Sequence, residues 1–249
     1  MAAPNKDASV NTTSAFPAEA PGVAAAPTKV LVWDAPVRVF HWLTVLCFAG
    51  AWLTAESERW RMAHVTLGYT LAGLVAFRLA WGLVGTRHAR FANFVRGPAA
   101  VLRHLRGMTR GEHGSHAGHN PAGALAIVGL LGLAVAVSVS GWALFDGPGG
   151  KGLEDLHEAT ASIMLALVGV HVAGVALVSW MTRDNLVGAM FTGRKAAPPA
   201  QALRSAWRSV AALMVVAVVG FWYLQWQAAP AVPTLASQQG HGGRDADDD

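Results

Sequence analysis

The chain has 249 residues, 53% of them hydrophobic and only 14% charged, where a soluble domain carries about 25% charged residues. That deficit points away from an ordinary soluble globule and towards a protein whose solvent is largely lipid. The single cysteine, Cys47, excludes an intrachain disulfide framework, a thiolate zinc or iron–sulfur centre, and covalent haem attachment through C-x-x-C-H.

Residues 1–28 are rich in Ala, Pro, Ser and Thr and lack hydrophobic periodicity. They read as a disordered tail, and no uninterrupted apolar run follows a basic start, so a cleaved signal peptide is not expected. Five stretches then approach the roughly 20 apolar residues that a membrane span needs: 37–54, 62–84, 122–145, 158–180 and 208–226. The expected class is an all-α integral membrane bundle. The fifth stretch, V-A-A-L-M-V-V-A-V-V-G-F-W-Y-L-Q-W, carries neither histidine nor charge. It reads as a packing helix over 205–228, with Phe221, Trp222, Tyr223 and Trp226 as an interfacial aromatic belt. Residues 229–249 form a tail ending in Asp245, Asp247, Asp248 and Asp249.

The net charge of +4 is distributed by loop. Arg87, Arg90, Arg96, Arg103, Arg106 and Arg110 face only Glu112 between spans two and three. Arg183, Arg194, Lys195, Arg204 and Arg208 face only Asp184 between spans four and five. The alternate loops are balanced or acidic, with Glu56, Glu58, Arg59 and Arg61 in one and Asp146, Lys151, Glu154 and Asp155 in the other. Positive loops stay in the cytoplasm, so the expected topology has the N-terminus cytoplasmic and the C-terminus periplasmic, in a bacterial inner membrane. No nucleic-acid partner is expected.

With that topology each histidine acquires a depth. His41 opens span one near the cytoplasmic face, and His64 opens span two near the outer face. His157 stands at the outer end of span four, in the junction E-D-L-H-E-A-T, and His171 follows fourteen residues later. That separation is about 21 Å along a helix and close to four full turns, so both share one face. The four residues therefore sort into an outer pair, His64 with His157, and an inner pair, His41 with His171. An imidazole within a bilayer is costly unless it is partnered, and two stacked pairs suit two non-covalent haems b. Two axial imidazoles leave iron no open position, which favours electron transfer over oxygen chemistry. Singly, His157 reads equally well as an interfacial residue, whereas His171, deep in L-A-L-V-G-V-H-V-A-G-V-A-L-V, is the hardest to explain otherwise.

Arg38, one turn before His41, and Arg78, in the inner half of span two, are candidate partners for the propionates of an inner haem. Arg38 reads equally as a positive-inside anchor. Gly68, Gly73, Gly141, Gly169 and Gly174 would let either a macrocycle or a neighbouring helix approach closely. A competing reading is metal binding or transport through the intramembrane histidines and the loop tract of His104, His113, His116 and His119. The tract has no thiolate and no carboxylate beyond Glu112, and neither broken helices nor repeats mark a transporter.

Three segments, V-W-D-A-P-V-R-V-F-H-W-L-T, M-A-H-V-T-L-G-Y-T-L-A-G-L-V-A-F-R and E-D-L-H-E-A-T-A-S-I-M-L-A-L-V-G-V-H-V-A-G-V, carry a family resemblance. In its D-x-P-x-R-x-x-H-W start and H-x13-H spacing, the stretch 30–195 resembles the prokaryotic cytochrome b561 and nickel–iron hydrogenase b-type cytochrome family. The resemblance implies a four-helix membrane cytochrome with two haems b, held by His41 with His171 and His64 with His157. It also implies electron relay between membrane quinone and a redox partner, either a periplasmic c-type cytochrome or a hydrogenase-like oxidoreductase. The fifth span and the acidic, His241-bearing tail depart from that pattern.

Overall fold

A computed structural model describes residues 28–94, 99 and 121–228. The N-terminal stretch up to residue 27, the loop histidines His104, His113, His116 and His119, and the acidic tail lie outside the described residues.

Helix α1 (Ala35–Thr54) begins where Asp34 caps it: Oδ1 accepts the Val37 N–H at 2.8 Å. Pro36 sits in the first turn, where a missing N–H costs nothing. A 3₁₀ turn at Glu58–Trp60 reverses the chain into α2 (Arg61–Val84), antiparallel to α1. After the short α3 (Phe91–Phe94) come α4 (Pro121–Phe145) and α5 (Lys151–Thr182). Gly149 and Gly150 join them at φ of 62° and 110°, which glycine adopts without steric cost. The chain ends its described part with α6 (Leu186–Thr192) and α7 (Arg208–Ala228).

Five of these helices, α1, α2, α4, α5 and α7, are long and apolar enough to cross a membrane. Four differ from the apolar stretches only by a residue or two at an end. The exception is α5, whose first turns are the polar K-G-L-E-D-L. Hydropathy cannot see a helix that continues into the aqueous layer, so His157 is not in a loop-to-helix junction but nearly two turns inside a helix.

A two-stranded sheet was not expected. β1 (Thr28–Leu31) pairs antiparallel with β2 (Arg194–Ala197), in the register Thr28↔Ala197 to Leu31↔Arg194. It joins the two sequence ends of the four-helix unit at one end of the bundle, the sheet end. The Leu203 N–H donates to Leu31 O at 2.8 Å, and the Ala35 N–H donates to Ala206 O at 2.8 Å, so the segment leading into α7 is fastened there too.

α1 packs on α2, α2 on α4, and α4 on α5, while α7 lies mainly against α1. α5 buries only Met164 among its residues. The main core is mid-bundle: Cys47 and Phe48 of α1, Leu71, Leu74 and Val75 of α2, Ala134 and Val137 of α4, Met164 of α5, and Met214 and Val218 of α7. Met164 is seven residues from both His157 and His171. The packed waist therefore separates two histidine levels, one nearer each end.

Candidate functional site

At the end away from the sheet, His64 of α2 and His157 of α5 face each other, ring centroids 6.1 Å apart and planes inclined at 75°. Each ring is tied from behind by a backbone carbonyl of a neighbouring helix. His64 Nδ1 stands 2.8 Å from Ala51 O of α1, and His157 Nδ1 stands 3.1 Å from Val137 O of α4. A carbonyl oxygen only accepts, so each Nδ1 carries the proton and each neutral ring keeps its lone pair on Nε2. Ser140 Oγ, 3.0 Å from His157 Nδ1 and 3.1 Å from Val137 O, braces the same corner. Histidines that ligate metals are held by this kind of N–H to carbonyl bond.

Helix α4 also supplies the space for the His157 ring. A Cβ built on Gly141 would stand 3.0 Å from His157 Cε1, so glycine lets the imidazole lie on the helix backbone. One turn from His64, a Cβ on Gly68 would meet nothing within 4 Å. The near side of that helix is open.

At the sheet end, His41 of α1 lies within electrostatic range of His171 of α5. Both are half-buried. His41 packs edge-on to Trp42 at 5.0 Å between ring centroids, and Trp42 stacks on Phe191 of α6 at 4.2 Å. His41 is ten residues, about 15 Å, from Ala51, the residue level with His64. The two pairs thus stand at separate depths.

Arg38 and Arg78 belong to this second level. Arg38 donates from Nη1 to Phe191 O, and its Nε is buried with no hydrogen-bond partner. Arg78 is only 3% exposed, with Nη1 likewise unpartnered. Its guanidinium stacks 4.8 Å from the Phe91 ring centre, a cation–π contact made possible because Gly82 leaves room for that ring. His41 Nδ1 and Trp42 Nε1 are further buried nitrogens without a partner here.

Between these groups sits Asp34, a functional residue that its sequence context marks only as a cap. Its carboxylate is 1% exposed. Beyond capping α1 it accepts from Trp81 Nε1 at 3.2 Å and from Thr86 Oγ1 at 2.6 Å, and it lies in electrostatic range of both Arg38 and Arg78. The D-x-P start was its signal, since Asp before Pro is a helix-capping pattern. Ser140, Gly141 and the carbonyls of Ala51 and Val137 left no such signal.

Residues 32–193 match the family described as Prokaryotic cytochrome b561. The chain belongs to that family. Relatives named "Probable Ni/Fe-hydrogenase B-type cytochrome subunit" agree with it. That of Rhodobacter capsulatus is 24% identical over 216 residues, 68% of this chain and 82% of the relative. That of Azotobacter chroococcum is 28% identical over 211 residues, 67% and 88%. That of Bradyrhizobium diazoefficiens is 24% identical over 242 residues, 78% and 96%. No solved structure matches the chain significantly.

A b-type cytochrome carries haem b, and the residues present fit that group. Two metal–nitrogen bonds of about 2 Å plus two ring radii come to roughly 6 Å between imidazole centres, and the cytochrome's His64 and His157 stand at 6.1 Å. The unpartnered Arg38 Nε and Arg78 Nη1 are the donors a carboxylate-bearing macrocycle would satisfy, since buried donors rarely go unpaired. Among the described residues no group of three or more His, Cys, Asp or Glu side chains forms a metal centre; the intramembrane histidines come as pairs.

Proposed function

We propose that this cytochrome is a dihaem electron carrier of a bacterial inner membrane. His64 and His157 ligate one haem b, and His41 and His171 ligate a second, nearer the sheet end. Haem iron supplies a one-electron couple at each level. The observation that carries the reading is that His64 and His157 face each other, each anchored through Nδ1 to a backbone carbonyl so that Nε2 keeps the ligating lone pair.

The chain's own groups have distinct tasks in this reading. Ala51 O and Val137 O hold the tautomer that presents Nε2. Arg38 and Arg78 hold the propionates of the haem at the sheet end. The waist of Phe48, Leu71, Leu74 and Met164 excludes water between the two levels, which keeps the relay electronic rather than protonic. The basic loops at the sheet end support a cytoplasmic position for that end.

Electrons pass between the quinone pool and a redox partner. A hydrogenase-like oxidoreductase is the favoured partner, because the relatives carry that assignment in their names; a periplasmic c-type cytochrome is the second. To test the quinone limb, the dithionite-reduced chain is mixed anaerobically with a water-soluble quinone. Haem reoxidation is expected, and its absence would contradict the reading.

A further inference from the structure

A groove of about 750 Å³ runs between α2 and α7, within the 300–1,000 Å³ range of small-molecule sites. Its α2 wall includes Thr66, Tyr69, Gly73 and Phe77. Gly73 is nine residues from His64, half a turn away at 100° per residue. The groove is therefore not a haem cleft. It lies on the opposite side of the helix that holds His64, about one helix diameter, roughly 10 Å, from it.

Its polarity is confined to one end. The Tyr69 hydroxyl donates to the Asp146 carboxylate, with Gln225 also on the rim, at the end away from the sheet. From there the walls are apolar towards Phe77 and Leu213 at mid-bundle. Aromatic surface flanks the polar end, Tyr69 standing edge-on to Phe145 at 6.4 Å between ring centroids. A bond from Trp222 Nε1 to Thr70 Oγ1, 2.8 Å, sets the spacing of the two helices. A Cβ on Gly73 would meet nothing within 4 Å, so this glycine leaves the groove open at its middle.

We infer that this groove binds a prenylated quinone, its ring against Tyr69 and Phe145 at the polar end and its isoprenoid tail along Gly73 and Phe77. The inference deepens the proposed function by naming where the quinone sits, and it rests on that reading for the choice of quinone. Charge selects the occupant. No Lys or Arg lines the groove, and the Asp146 carboxylate repels an anionic phospholipid headgroup. A neutral quinone ring meets no such repulsion, and in the hydroquinone form its hydroxyl donates to Asp146, whose carboxylate already accepts from Tyr69.

The test is photolabelling of the detergent-purified full chain with an azido-benzoquinone carrying a farnesyl tail, with adducts mapped by mass spectrometry. Expected are adducts within residues 62–77, 145–146 and 210–225, displaced at least tenfold more effectively by farnesylated benzoquinone than by farnesol or phosphatidylglycerol. Gly73→Phe, which fills open space, should lower labelling about tenfold, and Tyr69→Phe several-fold. Adducts elsewhere, or equal displacement by farnesol or by the phospholipid, would overturn the site. Haem content is counted on the same samples. Two haems with no groove adduct would overturn the quinone site and leave the relay standing. Groove adducts on a chain that binds no haem would support the site and overturn the relay.

Discussion

The His157 imidazole rests on the backbone of Gly141, so closely that a methyl group added there would stand 3.0 Å from Cε1. That contact fixes the ring from the side while Val137 O fixes it from behind. The geometry of one histidine pair therefore depends on a residue with no side chain.

Gly141→Val should displace the His157 ring and break its bond to Val137 O. The expected result is loss of the haem between His64 and His157 with retention of the other, so haem b per chain falls by half. A pyridine haemochrome count on the variant checks it; an undiminished count would remove Gly141 from the site.

Arg78→Gln should lower the midpoint potential of one haem and leave the other unchanged. A unit positive charge about 10 Å away at an effective dielectric of about 20 is worth roughly 1.7 kcal/mol. Losing it stabilises ferric iron by several tens of millivolts. Spectroelectrochemical titration reads this directly, and two unshifted potentials would place Arg78 away from both irons.

Asp34→Ala should cost about 3 kcal/mol or more of stability. It removes the α1 cap, typically about 1 kcal/mol, and leaves Trp81 Nε1 and Thr86 Oγ1 without their acceptor. Asp34→Asn keeps an oxygen for Val37 and should cost less. Helicity followed through denaturation in detergent measures both; equal stability of Asp34→Ala and the parent would contradict the role.

Much of this architecture is legible in the residues, and the parts that are not share a cause. The spans are visible because lipid demands long apolar runs, and the fourteen-residue spacing of His157 and His171 holds because α5 is a single unbroken helix. The sheet is invisible because T-K-V-L and R-K-A-A are too short to show alternation and are about 160 residues apart in sequence. The first turns of α5 are hidden by their polarity. The partners of His64 and His157 are backbone carbonyls, which every residue has, so no residue pattern announces them. Of the aromatic residues near the end of α7, Trp222 bonds through its indole N–H to Thr70, while Tyr223 and Trp226 are exposed.

Orientation is checked with single cysteines. Cys47 is fully buried, so background labelling is low. Glu56→Cys, at the end away from the sheet, should react with an impermeant maleimide in intact spheroplasts, whereas Ala200→Cys should react only after lysis. The reverse pattern would invert the proposed topology.

Two haems b on two histidine pairs underlie the proposed relay. The most direct measurement is pyridine haemochrome quantification of the purified chain, with a dithionite-reduced minus oxidised spectrum, beside the variants His157→Ala and His171→Ala. Two haems b are expected in the parent and one in each variant, the survivors differing in spectrum or potential. A parent with a single haem, or either variant retaining two, would contradict the relay.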